Sequence, residues 1–153
     1  MAKFHIYLNF DGNCAEAFDF YAKVFRVPNL GTHRYGDMLD GSEDVPETTK
    51  NLVLHTALQL NEHTQLMGSD IVEALGSDPL KKGNQTYAMI DTESAAEATR
   101  LFDELSINAK NIEMNLESTF FAELYASFQD QFGISWMIHF EGNANFGGSP
   151  DQH

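Results

Sequence analysis

Phe4-His5-Ile6-Tyr7-Leu8-Asn9-Phe10-Asp11-Gly12-Asn13-Cys14-Ala15-Glu16-Ala17-Phe18-Asp19-Phe20-Tyr21-Ala22-Lys23-Val24-Phe25 decides the fold. Ile6, Leu8 and Phe10 alternate with His5, Tyr7 and Asn9, the period-two pattern of a strand with one apolar face. Asp11-Gly12-Asn13 turns the chain. Asn13 is placed to cap a helix, with Glu16 three residues on to reach back to the cap's N–H. Ala17, Phe18, Tyr21, Val24 and Phe25 then recur at helical spacing and can lie on the strand's apolar face. His5, Tyr7 and Asn9 are left facing the other way.

The same device returns about half a chain later. Gln85 to Asp91 reads as a strand, Ser94-Ala95-Ala96-Glu97 as a capping box, and Ala98, Leu101, Phe102 and Leu105 as the helix stripe. Three strand-like segments follow each strand–helix unit. In the first half these are Leu30 to Tyr35, Asn51 to Leu60 and Thr64 to Gly68; in the second, Asn111 to Leu116, Phe120 to Phe128 and Ile134 to Phe140. Met38 to Lys50 is acidic and rich in turn residues, and reads as a mobile connecting loop. Residues 142–153 read as a flexible tail.

A chain of 153 residues with 42% hydrophobic content and 12 phenylalanines can bury a single core, so one domain spanning 1–153 is expected, with module one over about 1–70 and module two over about 84–141. The formal charge of −14 argues against nucleic acid or an anionic membrane as partner. No apolar run is long enough to span a bilayer, and the N-terminus shows no secretory pattern. Cys14 stands alone, so no intrachain disulfide forms, and a cytoplasmic location is the expectation. Its place in the first helical turn is one where a dipole lowers a thiol pKa, yet a packed or merely exposed cysteine outweighs a catalytic one.

Two consecutive β-α-β-β-β modules resemble the vicinal oxygen chelate superfamily of glyoxalase I, extradiol dioxygenases and bleomycin-resistance proteins. Within it the chain is most similar to the PhnB-like branch. The likeness is carried by Tyr7 to Asn13, Ala17 to Tyr21, Val24-Phe25, Tyr35-Gly36-Asp37-Met38, Leu54 to Leu58 and Asp130 to Ile138, and it spans about residues 3–141. It implies an α+β fold in which the tandem modules form a curled mixed sheet, with a concave cleft inside and the helices outside. It also implies a homodimer. By parity, Ile6, Leu8, Phe10, Leu52, Leu54, Leu58, Ala88, Ile90, Trp136, Ile138 and Phe140 pack under the helices. His5, Tyr7, Asn9, His55, Gln59, Gln65, Met67, Gln85, Tyr87, Met137 and His139 then converge in the cleft as ligand-binding residues.

In the metal-dependent members, the ligands come from the first and last strand of each module. The matching positions here are His5, Gln65 (or Met67), Gln85 and Met137, one imidazole with two neutral amides and a thioether. That set suits a divalent ion poorly. No tight metal or other cofactor is therefore expected; a divalent-metal site would need His5 with His55, Gln65, Gln85 or His139. The sequence favours a cytosolic small-molecule-binding protein with no assigned reaction. The alternative is a metal-dependent lyase, isomerase or dioxygenase acting on a small oxygenated substrate. A methyltransferase, a label attached to some of this branch, lacks support, since no strand is followed by a glycine-rich nucleotide-binding turn.

Overall fold

The computed structural model describes residues 1–38 and 46–144. They form two compact units, Met1–Lys81 and Lys82–His153. The fold class is α+β, with one four-stranded mixed sheet in each unit.

In the first unit, β1 (Ile6–Phe10) leads into α1 (Cys14–Phe25), followed by β2 (Asn29–Arg34), β3 (Val53–Gln59) and β4 (Gln65–Asp70), with short helices α2 (Tyr35–Met38) and α3 (Glu47–Lys50) between β2 and β3. The sheet order is β1-β4-β3-β2. Strand β1 runs parallel to β4, while β2–β3 and β3–β4 are antiparallel. Helix α1 closes one face: Cys14, Ala17, Phe18, Tyr21 and Val24 are buried, together with Phe10, Leu58 and Leu66. Each large apolar side chain so buried stabilises the fold by ~1.5–3 kcal/mol. Gly68 marks the closest approach of helix to sheet, because a Cβ there would lie 2.5 Å from the Phe18 ring.

The second unit repeats the plan with β5 (Ala88–Asp91), α4 (Ala95–Leu105), β6 (Asn111–Glu117), β7 (Leu124–Gln129) and β8 (Ser135–Phe140). Its order is β5-β8-β7-β6, with β5 parallel to β8. Ala98, Leu101 and Leu105 are buried on α4, and so are Phe128, Trp136 and Ile138 on the sheet. The Phe102 and Phe128 rings meet edge to face at 5.5 Å. A buried carboxylate shapes the turn into β8. Asp130 Oδ1 accepts from the N–H of Phe132 (2.8 Å) and Ile134 (3.0 Å), and Oδ2 accepts from Trp136 Nε1 (2.8 Å). Such a group is stable inside because its oxygens are met by donors.

Several details depart from the sequence reading. Asn13 makes no side-chain cap: its φ of −116° and ψ of 22° are not the extended backbone a capping side chain needs. Asp70, at the end of β4, does that work from across the unit. Its Oδ1 accepts from the N–H of Gly12 (2.9 Å) and Cys14 (3.0 Å), and its Oδ2 from Val53 N–H (2.9 Å). Ser94 does cap α4, accepting from Glu97 N–H at 3.1 Å, and Glu97 reaches back to Glu93 N–H. The connecting segment is not wholly a loop, since α2 and α3 occupy its two ends; the expectation of mobility in its middle, like that for the tail from residue 145, lies outside the described residues.

Strand β5 is shorter than expected and leaves Gln85 and Tyr87 ahead of it, and the segment from Phe120 becomes a strand only at Leu124. Strand β3 is not one-sided. Val53 and Ala57 are buried as well as Thr56 and Leu58, whereas Leu54 is half-buried. Thr56 sits among apolar groups because Asn29 Nδ2 (2.8 Å) and Thr32 Oγ1 (2.9 Å) satisfy its hydroxyl.

Candidate functional site

Strand register decides which side chains share a face, because residues directly opposite in neighbouring strands point the same way. In the first unit, Tyr7 lies beside Met67 and Asn9 beside Ser69; Met67 faces Ala57, Gln65 faces Gln59, and His55 faces His33. Tyr7, Asn9, His55, Gln59, Gln65 and Met67 therefore lie on one face, opposite α1. Tyr7 is half exposed, and its ring stands 5.9 Å from His55. Gln65 Nε2 donates to Gln59 Oε1 at 2.8 Å, which holds both amides in place. His5 precedes β1, and its Nδ1 accepts the N–H of Gln65 at 2.9 Å. Tyr35 donates its hydroxyl to Asp70 O at 2.8 Å, and burial followed by the charge of Tyr7 raises its phenol pKa.

Asn9 also borders a cavity of about 460 Å³ lined by Ile71, Ser77, Asp78, Pro79, Leu80 and Lys81, where the chain leaves β4. None of the other expected residues lines it.

In the second unit, Met89 lies beside Met137 and Asp91 beside His139, and Tyr125 faces His139 from the other side. Met137 and His139 thus share a face, whereas exposed Gln85 precedes the sheet. Tyr87 also precedes β5. Its hydroxyl donates to Glu113 on β6 at 2.7 and 2.8 Å, and this bond is the main cause of its raised pKa. Strands β5 and β6 are the two edges of the sheet, roughly 14 Å apart if it were flat. The contact thus reaches from one edge of the sheet to the other. Burial, then Glu113, raises Tyr125 as well, so both phenols remain hydrogen-bond donors at neutral pH.

Sequence alone does not single out His33, Asp91, Glu113 or Tyr125. For His33 no signal was available, since β2 is exposed along its whole length and shows no alternation. Tyr125 is readable by parity in β7; Asp91, at the end of an expected strand, is marked only by its partner.

The four family ligand positions can be tested for fit to a divalent ion. His5 Nδ1 already accepts a backbone N–H, Gln65 and Gln85 offer only neutral amide oxygens, and Met137 offers only a thioether. No anionic oxygen stands at any of them. Among the described residues, no group of three or more His, Cys, Asp and Glu is arranged to hold an ion. This donor set does not fit a hard or borderline cation, which asks for imidazole with carboxylate. Cys14 supplies no alternative chemistry. It is buried, and desolvation followed by the charge of Asp70 pushes its thiol up to about 12.

Comparison with known proteins places this arrangement. The family model for 3-demethylubiquinone-9 3-methyltransferase matches residues 2–139. Protein YjdN of Escherichia coli (strain K12) is 30% identical over 138 residues, covering 87% of this chain and 91% of its own. The crystal structure of PA1353 from Pseudomonas aeruginosa superposes with a TM-score of 0.78 at 30% identity, covering 92% of this chain and 98% of that one. A PhnB protein from Bacillus cereus shares the fold with a TM-score of 0.71 at 21% identity, over 91% of this chain and 99% of its own. The family model and the 30% identical relatives show that the chain belongs to the 3-demethylubiquinone-9 3-methyltransferase family, and it shares the fold of the PhnB protein.

Proposed function

We propose that this protein is a cytosolic, homodimeric small-molecule-binding protein, a single domain without a resident divalent metal. One observation carries the reading: the face opposite α1 gathers an exposed tyrosine, an imidazole beside it, a thioether and two mutually bonded amides. Aromatic and thioether surface with a few fixed polar groups suits a small, mostly apolar ligand bearing hydrogen-bonding groups. Met137 and His139 extend the same chemistry in the second unit, and family membership supports the dimer. The methyltransferase of the family description gains no support from the turns. Asp11-Gly12-Asn13 holds one glycine and Thr92-Glu93-Ser94 none, and neither sheet is the doubly wound parallel kind that cradles a nucleotide cofactor.

Native mass spectrometry of protein purified without chelator or affinity nickel tests the proposal. The expected spectrum shows a dimer with no metal mass and a co-purifying small molecule that Tyr7→Ala releases while the melting temperature is nearly unchanged. A monomer overturns the dimer. One equivalent of divalent ion per chain, lost in His5→Ala, overturns the metal-free reading and points to a lyase, isomerase or dioxygenase.

A further inference from the structure

In the second unit, an imidazole on β8 is paired with a carboxylate at the end of β5. His139 Nδ1 lies 2.9 Å from Asp91 Oδ1. An ionised carboxylate only accepts, so Nδ1 carries a proton, and in the neutral imidazole Nε2 then presents its lone pair. Among the described residues nothing donates to Nε2, and it is not among the sealed, unpartnered polar atoms of this unit, of which Ser135 Oγ is one. Phe121 lies parallel to the imidazole, with ring centroids 6.4 Å apart and planes 9° from each other. Tyr125 meets the edge of Phe121 at 5.0 Å and faces His139 in register. Phe120, 84% exposed, stands beside Phe121 at 5.3 Å.

A fixed acceptor thus sits in a wall of aromatic rings. Asp91 is 74% exposed, so its carboxylate keeps its water and its effect on His139 is to set the tautomer.

We propose that this face binds a small aromatic molecule bearing an O–H or N–H donor, which stacks against Phe121 and Tyr125 and donates to His139 Nε2. Asp91 is the positioning residue that, in the neutral imidazole, holds the proton on Nδ1 and so leaves the lone pair on Nε2. The inference rests on the reading that the second sheet's face takes a ligand, and it names the class. A planar ring gains contact area on Phe121 at little cost in conformational freedom. The single acceptor then selects ligands that carry a donor, because a ring without one leaves Nε2 stripped of water and unpaired.

The test uses phenol and anisole, two rings that differ in the donor, titrated into the full chain and followed by ¹⁵N-histidine and methionine-methyl NMR. Phenol is expected to bind about fivefold more tightly than anisole, the scale of one neutral hydrogen bond. His139→Phe keeps a ring against Phe121 but has no acceptor, and is expected to equalise the two probes. In the unliganded protein the ¹⁵N shifts are expected to show His139 with its proton on Nδ1. Asp91→Ala loses that signature along with most of the preference, and Asp91→Glu restores both. Equal binding of the probes by wild type, or a preference that survives His139→Phe, overturns the role of His139 and leaves the ligand face standing. No perturbation of Met89 or Met137 by either probe overturns the ligand face of this unit as well.

Discussion

Cys14 shows how one position can be read two ways. It occupies the first turn of α1, where the helix dipole favours a thiolate, but it is wholly enclosed beneath the Asp70 carboxylate. Desolvation wins, because the dipole is worth only ~0.3–1 kcal/mol at a helix end, and the Asp70 charge adds to the burial. With the thiol pushed up to about 12, the native protein is expected to resist iodoacetamide at about pH 8 and to react once unfolded in urea. The check is the rate of carbamidomethylation by mass spectrometry; rapid modification of the folded chain would contradict it. The sequence argues against a catalytic Cys14 but leaves open whether it packs or is exposed; its burial is a finding of the structure. The size of the shift was not legible in the sequence either, because it comes from groups far along the chain.

At the scale of elements, the two helices start from similar sequences and are capped differently. Ser94 has extended backbone, φ −150° and ψ 156°, which turns its hydroxyl toward Glu97 N–H; Asn13 does not, and Asp70 fills the role. Ser94→Ala is therefore expected to cost about 1 kcal/mol and Asn13→Ala less than about 0.5 kcal/mol. Asp70→Ala leaves the N–H groups of Gly12, Cys14 and Val53 without their acceptor and is expected to cost on the order of 3 kcal/mol or more. Urea unfolding of the three variants checks the ranking, and an Asn13→Ala loss as large as that of Ser94→Ala would refute it. Sequence spacing exposed both caps as candidates. It could not separate them, because a cap depends on the φ and ψ of one residue and on what else reaches the helix end.

For the whole molecule, the dominant global term is charge. Nine Lys and Arg against 23 Asp and Glu give −14, and the contacts of Glu47 with Lys50 and of Glu104 with Arg100 are local helical ones. Self-repulsion of this size opposes the compact state and is screened by salt. Raising sodium chloride to about 0.5 M is expected to relieve on the order of 1 kcal/mol and raise the thermal midpoint by roughly 3 °C. Differential scanning calorimetry at two salt concentrations checks it, and a midpoint that is flat or falls with salt would show that the acids are already well separated.

The sequence by itself determined the repeated order of strands and principal helices and, for strands such as β1 and β8, the side that faces a helix. Those follow from periods of 2 and 3.6 residues, which are local geometry. Ile6, Leu8 and Phe10 against Tyr7 and Asn9 could be sorted that way, and so could Met137 and His139. Tertiary structure alone decided who meets whom on each face: Asp70 with the start of α1, Tyr87 with Glu113, and Asp91 with His139 backed by Phe121. Each of these contacts joins segments distant in the chain, and hydrogen bonds and ring stacking act over a few ångströms of space. No periodicity along the backbone encodes such a meeting, so the folded register has to supply it.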